Sequence, residues 1–249
     1  MQAYFSNFTA VASFRIFVFL FTVVLLSAVF SSLSLANEDL LQKGLEAYQQ
    51  KNYSLALSYL KPLAENGNLE AQRKLGVMYR HGLGVQKNDA LAINWYRKAA
   101  QGGHVRAQNS LGIMYRFGMG VEKDLNEAVH WLTAAAEQGD GKGQENLGLM
   151  YLDGDGVEQS DTNAVKWLDK SARQGHARAQ FTLGLLTLAG RGTRKDQSLG
   201  MDWIEKSANS GNRQAAEAVA KAYAEGLYGV KKDLEKAKYW YQRAGKKLQ

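Results

Sequence analysis

The sequence predicts an all-α protein, a right-handed α/α superhelical solenoid of tandem helix-turn-helix units. Three observations predict it. All five tryptophans fall on one repeat position: Trp95, Trp131, Trp167 and Trp203 are spaced by 36 residues, and Trp240 follows after 37. Glycines keep the same register at Gly82, Gly118, Gly154, Gly190 and Gly226, and again at Gly84, Gly120, Gly156, Gly192 and Gly229. Within each unit, two stretches of about 12 to 14 residues show helical apolar spacing on either side of the glycine loop.

Residues 1–36 precede the repeats and read as an export signal. Their only charged side chain is Arg15, directly before the 15-residue apolar run Ile16 to Phe30. A membrane span needs roughly 20 apolar residues, whereas a secretory core needs about 7 to 15 behind a positive start. Ser34 and Ala36 then stand three and one residues before an expected cleavage between Ala36 and Asn37. The mature chain would be periplasmic or secreted. The alternative is an uncleaved anchor, in which case the membrane is met only through this segment. The chain has no cysteine, so neither a lipidated N-terminus nor a disulfide framework is available. Without Arg15 the formal charge falls by one, from +7 to +6. An exported chain of modest positive charge is not expected to meet nucleic acid.

Residues 37–68 read as a degenerate leading unit, with a tight turn at Asn52-Tyr53 and Pro62 near the end of its second helix. Five units follow at 69–104, 105–140, 141–176, 177–212 and 213–249. The second helix of each is expected to start behind Asn88, Asp124, Ser160, Asp196 or Asp233, whose side-chain oxygens can accept from the free amides of a first turn. It should stop at Gly103, Gly139, Gly175 or Gly211. Gly76, Gly112, Gly148 and Gly184 lie inside the first helices, where glycine costs about 1 kcal/mol relative to alanine. The return expected for that cost is close approach of the paired helix, with the tryptophans as matching bulk. On that reading Trp131→Ala and Trp167→Ala are costly and the terminal Trp240→Ala less so. Thr187, Thr193 and Gly200 depart from the repeat pattern, which predicts looser packing in the fourth unit.

These motifs carry a family resemblance. Ala107-Gln108-Asn-Ser-Leu111-Gly112-Ile-Met-Tyr115, then Gly118-Met-Gly120-Val121-Glu-Lys-Asp124, then Ala128-Val-His-Trp131 and Ala135-Ala-Glu-Gln-Gly139 resemble the Sel-one-like repeats. That family is related to the tetratricopeptide repeats and has a longer loop between its two helices. The resemblance covers Leu69 to about Gly245 and implies protein binding in envelope assembly, signalling or host interaction.

No catalytic constellation stands out, so the chain is not expected to be an enzyme or to need a cofactor or metal. There is no cysteine nucleophile and no Gly-x-Ser-x-Gly elbow. Gly82-x-Gly84 and its copies follow a helix rather than a strand and lack the third glycine of a dinucleotide loop. Asp153-Gly-Asp155-Gly156 lacks the closing acid of a calcium loop, Ala164 standing there instead, and reads as a polar loop. His104 and His176 share a repeat position and read as turn or capping residues.

Solenoids bind along the concave face lined by their first helices. Alignment on the small first-helix position puts Glu70, Arg73, Val77 and Arg80 there, then Arg106, Asn109, Ile113 and Arg116. Lys142, Glu145, Leu149 and Leu152 follow, then Arg178, Phe181, Leu185 and Leu188. The expected groove is arginine-rich early (Arg73, Arg80, Arg106, Arg116) and apolar late (Leu152, Phe181, Leu185, Leu188). Its expected ligand is an acidic, partly apolar protein or peptide segment. The alternative is that the arginines only solvate the surface and that Leu149, Phe181 and Leu185 close the core. Two further functions compete with a protein-binding scaffold: a peptidoglycan or exopolysaccharide module, which exposed aromatic platforms would favour, and a hydrolase with an unrecognised site.

Overall fold

The computed structural model describes residues 34–246. Helix α1 runs over residues 34–49 and is followed by α2 (Tyr53–Glu65). Five pairs succeed them: α3 (Leu69–His81) with α4 (Asp89–Gln101), α5 (Val105–Phe117) with α6 (Leu125–Glu137), α7 (Gly141–Asp153) with α8 (Asp161–Arg173), α9 (Ala177–Ala189) with α10 (Gln197–Asn209), and α11 (Arg213–Glu225) with α12 (Leu234–Ala244). The described residues contain no strand. The expected secretory core, Ile16 to Phe30, lies outside them, while the expected junction Ala36-Asn37 lies within α1.

Helix boundaries follow the capping chemistry. Asn88, Asp124, Ser160, Asp196 and Asp233 each accept a first-turn amide. First helices end on Gly82, Gly118, Gly154, Gly190 and Gly226 with φ between 66° and 72°, a left-handed cap that glycine adopts without strain. Second helices end one residue before the expected glycines, on Gly102, Gln138, Gln174 and Ser210. The glycine that follows each of these turns the chain at positive φ. Each intervening loop is closed by a backbone bond, as from the Asp124 amide to the Tyr115 carbonyl at 3.0 Å.

Consecutive helices pack pairwise along the chain, and α5 also touches α7 directly. The direct contact of α5 with α7 places these first helices on the tight, inner side of the stack. The helix-interior glycines make the pairs close. A Cβ on Gly112 would stand 2.7 Å from Leu132 Cγ and 3.1 Å from the Ala128 carbonyl oxygen. The facing bulk is therefore the residue after each tryptophan (Tyr96, Leu132, Leu168, Ile204), all buried to 3% exposure or less, and not the tryptophan itself. Trp95, Trp131, Trp167 and Trp203 are half-buried at the edges of these clusters, whereas Trp240 is only 8% exposed. This reverses the expected order of the tryptophans, because Trp240 closes the last core cluster.

The expected looseness of the fourth unit is also overturned. Gly184 and Gly200 face each other, each lying where the other's Cβ would meet its carbonyl oxygen, at 2.8 and 3.0 Å. Leu188 fills the space over Gly200, and the buried Thr187 hydroxyl donates to the Leu183 carbonyl at 2.8 Å.

Between units, two devices set the stacking. The second loop glycine lies on the start of the previous unit's second helix: a Cβ on Gly120 would come within 2.5 Å of the Asp89 carbonyl oxygen. Beneath the turns runs a glutamine ladder that the sequence reading missed. Gln72, Gln108, Gln144 and Gln180 each donate to a carbonyl eight residues earlier, at Ala64, Ala100, Ala136 and Ala172. Gln138 and Gln174 in turn donate to the Oε1 atoms of Gln108 and Gln144, both at 2.8 Å. The equivalent positions for Gln72 and Gln180 are Gly102 and Ser210, and there Oε1 is buried without a partner.

Two outcomes follow for chemical denaturation. Gly112→Ala should destabilise by about 1–3 kcal/mol through overpacking, although alanine is the better helix former. Ser210→Gln should stabilise by about 1 kcal/mol by completing the ladder at Gln180. A stabilising Gly112→Ala or a neutral Ser210→Gln would contradict the respective packing account.

Candidate partner-binding groove

The structure distributes the sequence-selected groove residues into engaged and free sets. Arg73 is engaged: its Nε and Nη2 donate to the Glu70 carboxylate at 2.8 and 2.6 Å. His104 completes this cluster, its Nε2 lying 2.8 Å from Glu70 Oε2 while its Nδ1 accepts from the Ala107 amide at the start of α5. Accepting at Nδ1 requires the tautomer that carries its proton on Nε2 and donates to Glu70. Burial alone would push the Glu70 carboxyl up, but hydrogen bonds from Arg73 and His104 outweigh it and hold the group at about 2.

Arg116 is engaged as well. Its guanidinium donates to Asp155 at 3.0 and 2.8 Å and to Asp153 at 2.7 Å, and its side chain is only 11% exposed. The acidic loop that superficially suggests calcium is thus the anion for an arginine of the preceding unit. Arg80 is half-buried, with Nη2 3.6 Å from Met119 Sδ in the same relation to the next unit's loop. Arg106 and Lys142 are different: both are exposed, and neither has an ion-pair partner among the described residues.

These two cations line a cavity of about 540 Å³ that also meets Arg73, Asn109, Asp140 and His176. The pKa of Lys74, next to Arg73 on α3, is lowered by burial first and by Arg73 after it. Asn109, one of the groove positions, is buried and accepts from Asn146 at 2.9 Å, which ties α5 to α7.

The apolar half is split in the same way. Leu188 and Leu149 are buried at 8% exposure each, and Leu152 is half-buried against the Ala164 to Leu186 cluster. Phe181 is half-buried on the last cluster, and Leu185 remains 43% exposed. Leu185 and Leu188 open a small cavity of about 120 Å³ with Ala218, Lys221, Leu227 and Tyr228.

Three of the four half-buried tryptophans carry a cation over one ring face. Lys98, Lys170 and Lys206 sit over Trp95, Trp167 and Trp203 at 4.5, 4.2 and 4.4 Å from the ring centroids.

A family model, the Sel1 repeat, matches this chain six times, over residues 33–68, 69–104, 105–140, 141–176, 177–212 and 213–247. The chain belongs to the Sel1 repeat family. Sel1 repeat proteins generally act as protein-interaction scaffolds rather than catalysts. Among solved structures, the chain is similar to a Sel1 repeat protein from Oxalobacter formigenes, with 33% identity, a TM-score of 0.74, and coverage of 84% of this chain and 86% of that one. It is equally similar in sequence, at 33%, to c5321, a protective antigen of uropathogenic Escherichia coli strains with the same fold. There the TM-score is 0.78 over 84% of this chain, but the match spans only 45% of the c5321 chain. PilF of Pseudomonas aeruginosa shares the fold at 20% identity, with a TM-score of 0.62 over 84% of this chain and 90% of its own. No curated protein matches the chain.

The Glu70 cluster has a pH signature. A carboxyl held below its ordinary value of 4.5 contributes stability that is complete above that value and is lost as pH falls toward about 2. Glu70→Gln should therefore destabilise the protein at pH 7, with the gap to the parent narrowing below pH about 4.5 and closing by about 2. Denaturation midpoints over that range check it, and a pH-independent gap would mean that the carboxylate charge is not what matters.

Proposed function

We propose that this Sel1 repeat protein is a non-catalytic scaffold, exported to the periplasm or secreted, that holds an acidic, partly apolar protein segment along its inner face. The observation that carries this reading is the pair of exposed cations Arg106 and Lys142, which lack carboxylate partners among the described residues and stand upstream of Phe181 and the exposed Leu185 on the same inner face. Arg73 and Arg116 support the groove from within, because their charges are spent on Glu70, Asp153 and Asp155. A glycan-binding role is disfavoured by the lysines that cap Trp95, Trp167 and Trp203.

The exported setting rests on Arg15, the apolar run Ile16 to Phe30 and the Ser34-Leu-Ala36 junction. A relative that is a protective antigen fits a protein that leaves the cytoplasm. Intact mass of protein recovered from the periplasm or medium should begin at Asn37. Recovery only with membranes, with the Arg15 segment retained, would replace export by anchoring.

The groove reading is tested with partners captured from envelope extracts. Exposed ion pairs contribute only about 0–1 kcal/mol each and are screened by salt, so reversal of two charges is the informative change. Arg106→Glu/Lys142→Glu should slow association at low salt far more than at high salt. Phe181→Ala should speed dissociation at both salts. A double variant that binds with parental kinetics at low salt removes the cationic half of the groove.

A further inference from the structure

The repeat architecture provides an internal comparison at the seams between units. In the first seam, Leu69 fills the space at the start of α3, packing against Gly102, and Glu70 pairs with both Arg73 and His104. The third seam has the same backbone and a histidine at the same position, but Gly141 stands for Leu69, Lys142 for Glu70 and Glu145 for Arg73. The imidazole of His176 lies against Gly141, so close that even a Cβ there would collide with Nε2. His176 makes no cap bond to α9, and Lys142 removes the carboxylate that its counterpart His104 holds. The turn itself is fixed: Ser171 donates to the Gly141 carbonyl at 2.7 Å, and Asp140 accepts from the Gly143 amide at 2.7 Å.

The His176 imidazole takes part of the room left at Gly141, Lys142 and Glu145 exchange the signs found at Glu70 and Arg73, and the cavity lined by Arg73, Arg106, Asn109, Lys142 and His176 opens at this seam. We propose that this cavity is a subsite for carboxylates of a bound peptide, two adjacent acidic groups meeting Arg106 and Lys142. With Arg73 paired to Glu70, Arg106 and Lys142 are the two cations of the lining that no carboxylate engages among the described residues, one for each of two singly charged groups. The guanidinium of Arg106 offers the forked donors that carboxylates take in pairs. The inference rests on the groove reading for its biological ligand, but its test needs no partner.

The probe is an acetylated, amidated Gly-Glu-Asp-Gly peptide, titrated by calorimetry into the protein produced from the full chain at low salt. Its counterpart has glutamine and asparagine in place of the acids, and a third peptide carries a free C-terminal carboxylate as its only anion. The acidic peptide should bind at least about ten-fold more tightly than the amide counterpart. Equal strength of the third peptide would make the site one for a chain terminus and overturn the two-carboxylate assignment. Lys142→Glu removes one of the two free cations and should weaken the acidic peptide about ten-fold or more while the protein stays folded. Lys231→Glu, the same charge change in an exposed loop, should leave binding within about two-fold of the parent. Equal binding of the acidic and amide peptides, or equal loss in the two lysine variants, overturns the subsite. Neither result touches the apolar contact, which is judged separately on Phe181→Ala and partner dissociation.

Discussion

The structure depends on how closely two helices of one unit approach each other. Gly112, Gly148 and Gly184 remove the Cβ at the crossing, and Leu132, Leu168 and Ile204 descend into the space. An unpaired helix pair of this length cannot bury enough apolar surface to stand alone, so each pair must also offer a second face to its neighbours. The close crossing makes that possible by keeping the unit thin and regular. Loop glycines such as Gly120 then set one unit on the next, because their backbone rests on the first residue of the preceding second helix. Where the last loop gains a residue, Gly229 meets nothing within 4 Å, and a cavity of about 430 Å³ opens against α10. One insertion thus exchanges stacking contact for open surface.

Much of this was legible in the sequence because it is periodic. A residue type that recurs every 36 positions at Trp95, Trp131, Trp167 and Trp203 reports a repeat whatever its packing role. Capping residues were legible for a second reason, namely that their chemistry is local: Asp124 needs only amides within three residues of itself. The role of tryptophan was not legible, because periodicity names a face without saying which residue on it points furthest inward. Leu132 and Trp131 are adjacent, and only the crossing geometry decides that Leu132 is the one buried.

Groove chemistry was legible in outline and misleading in detail. Arg116 and Asp155 are 39 residues apart, and Arg73 sits three residues from Glu70. A list of inner-face arginines counts charges that the fold has already spent on such partners. Reading the acidic loop Asp153 to Gly156 as an isolated segment concealed its role for the same reason, since its partner lies on the preceding unit. The glutamine ladder left a signal in the sequence, Gln72, Gln108, Gln144 and Gln180 at one repeat position, but a buried amide in a helix has no meaning until the neighbouring carbonyl is placed.

A repeat protein has to keep its stacking rules while making one stretch of surface differ from the rest, and the two demands fall on different positions. Stacking uses glycines, small residues and caps, whose replacement would shift the backbone. Recognition can use only positions whose side chains stand off the seam, so specificity is written as departures from the period at such positions. Lys142 in the place of Glu70 is one, and Gly141 in the place of Leu69 is another. Neither change disturbs the capping residue Asp140 or the buried Gln144, so the unit still stacks. Together they replace a filled seam, in which Glu70 is paired, by an open one in which Lys142 has no ion-pair partner among the described residues. The engaged arginines mark the other side of this division: Arg116 is held between two units by Asp153 and Asp155, where a change of charge would be felt as a change of stacking. Surface available for a partner is consequently the part of the inner face that the fold does not already use, and in the basic half that part is centred on Arg106 and Lys142.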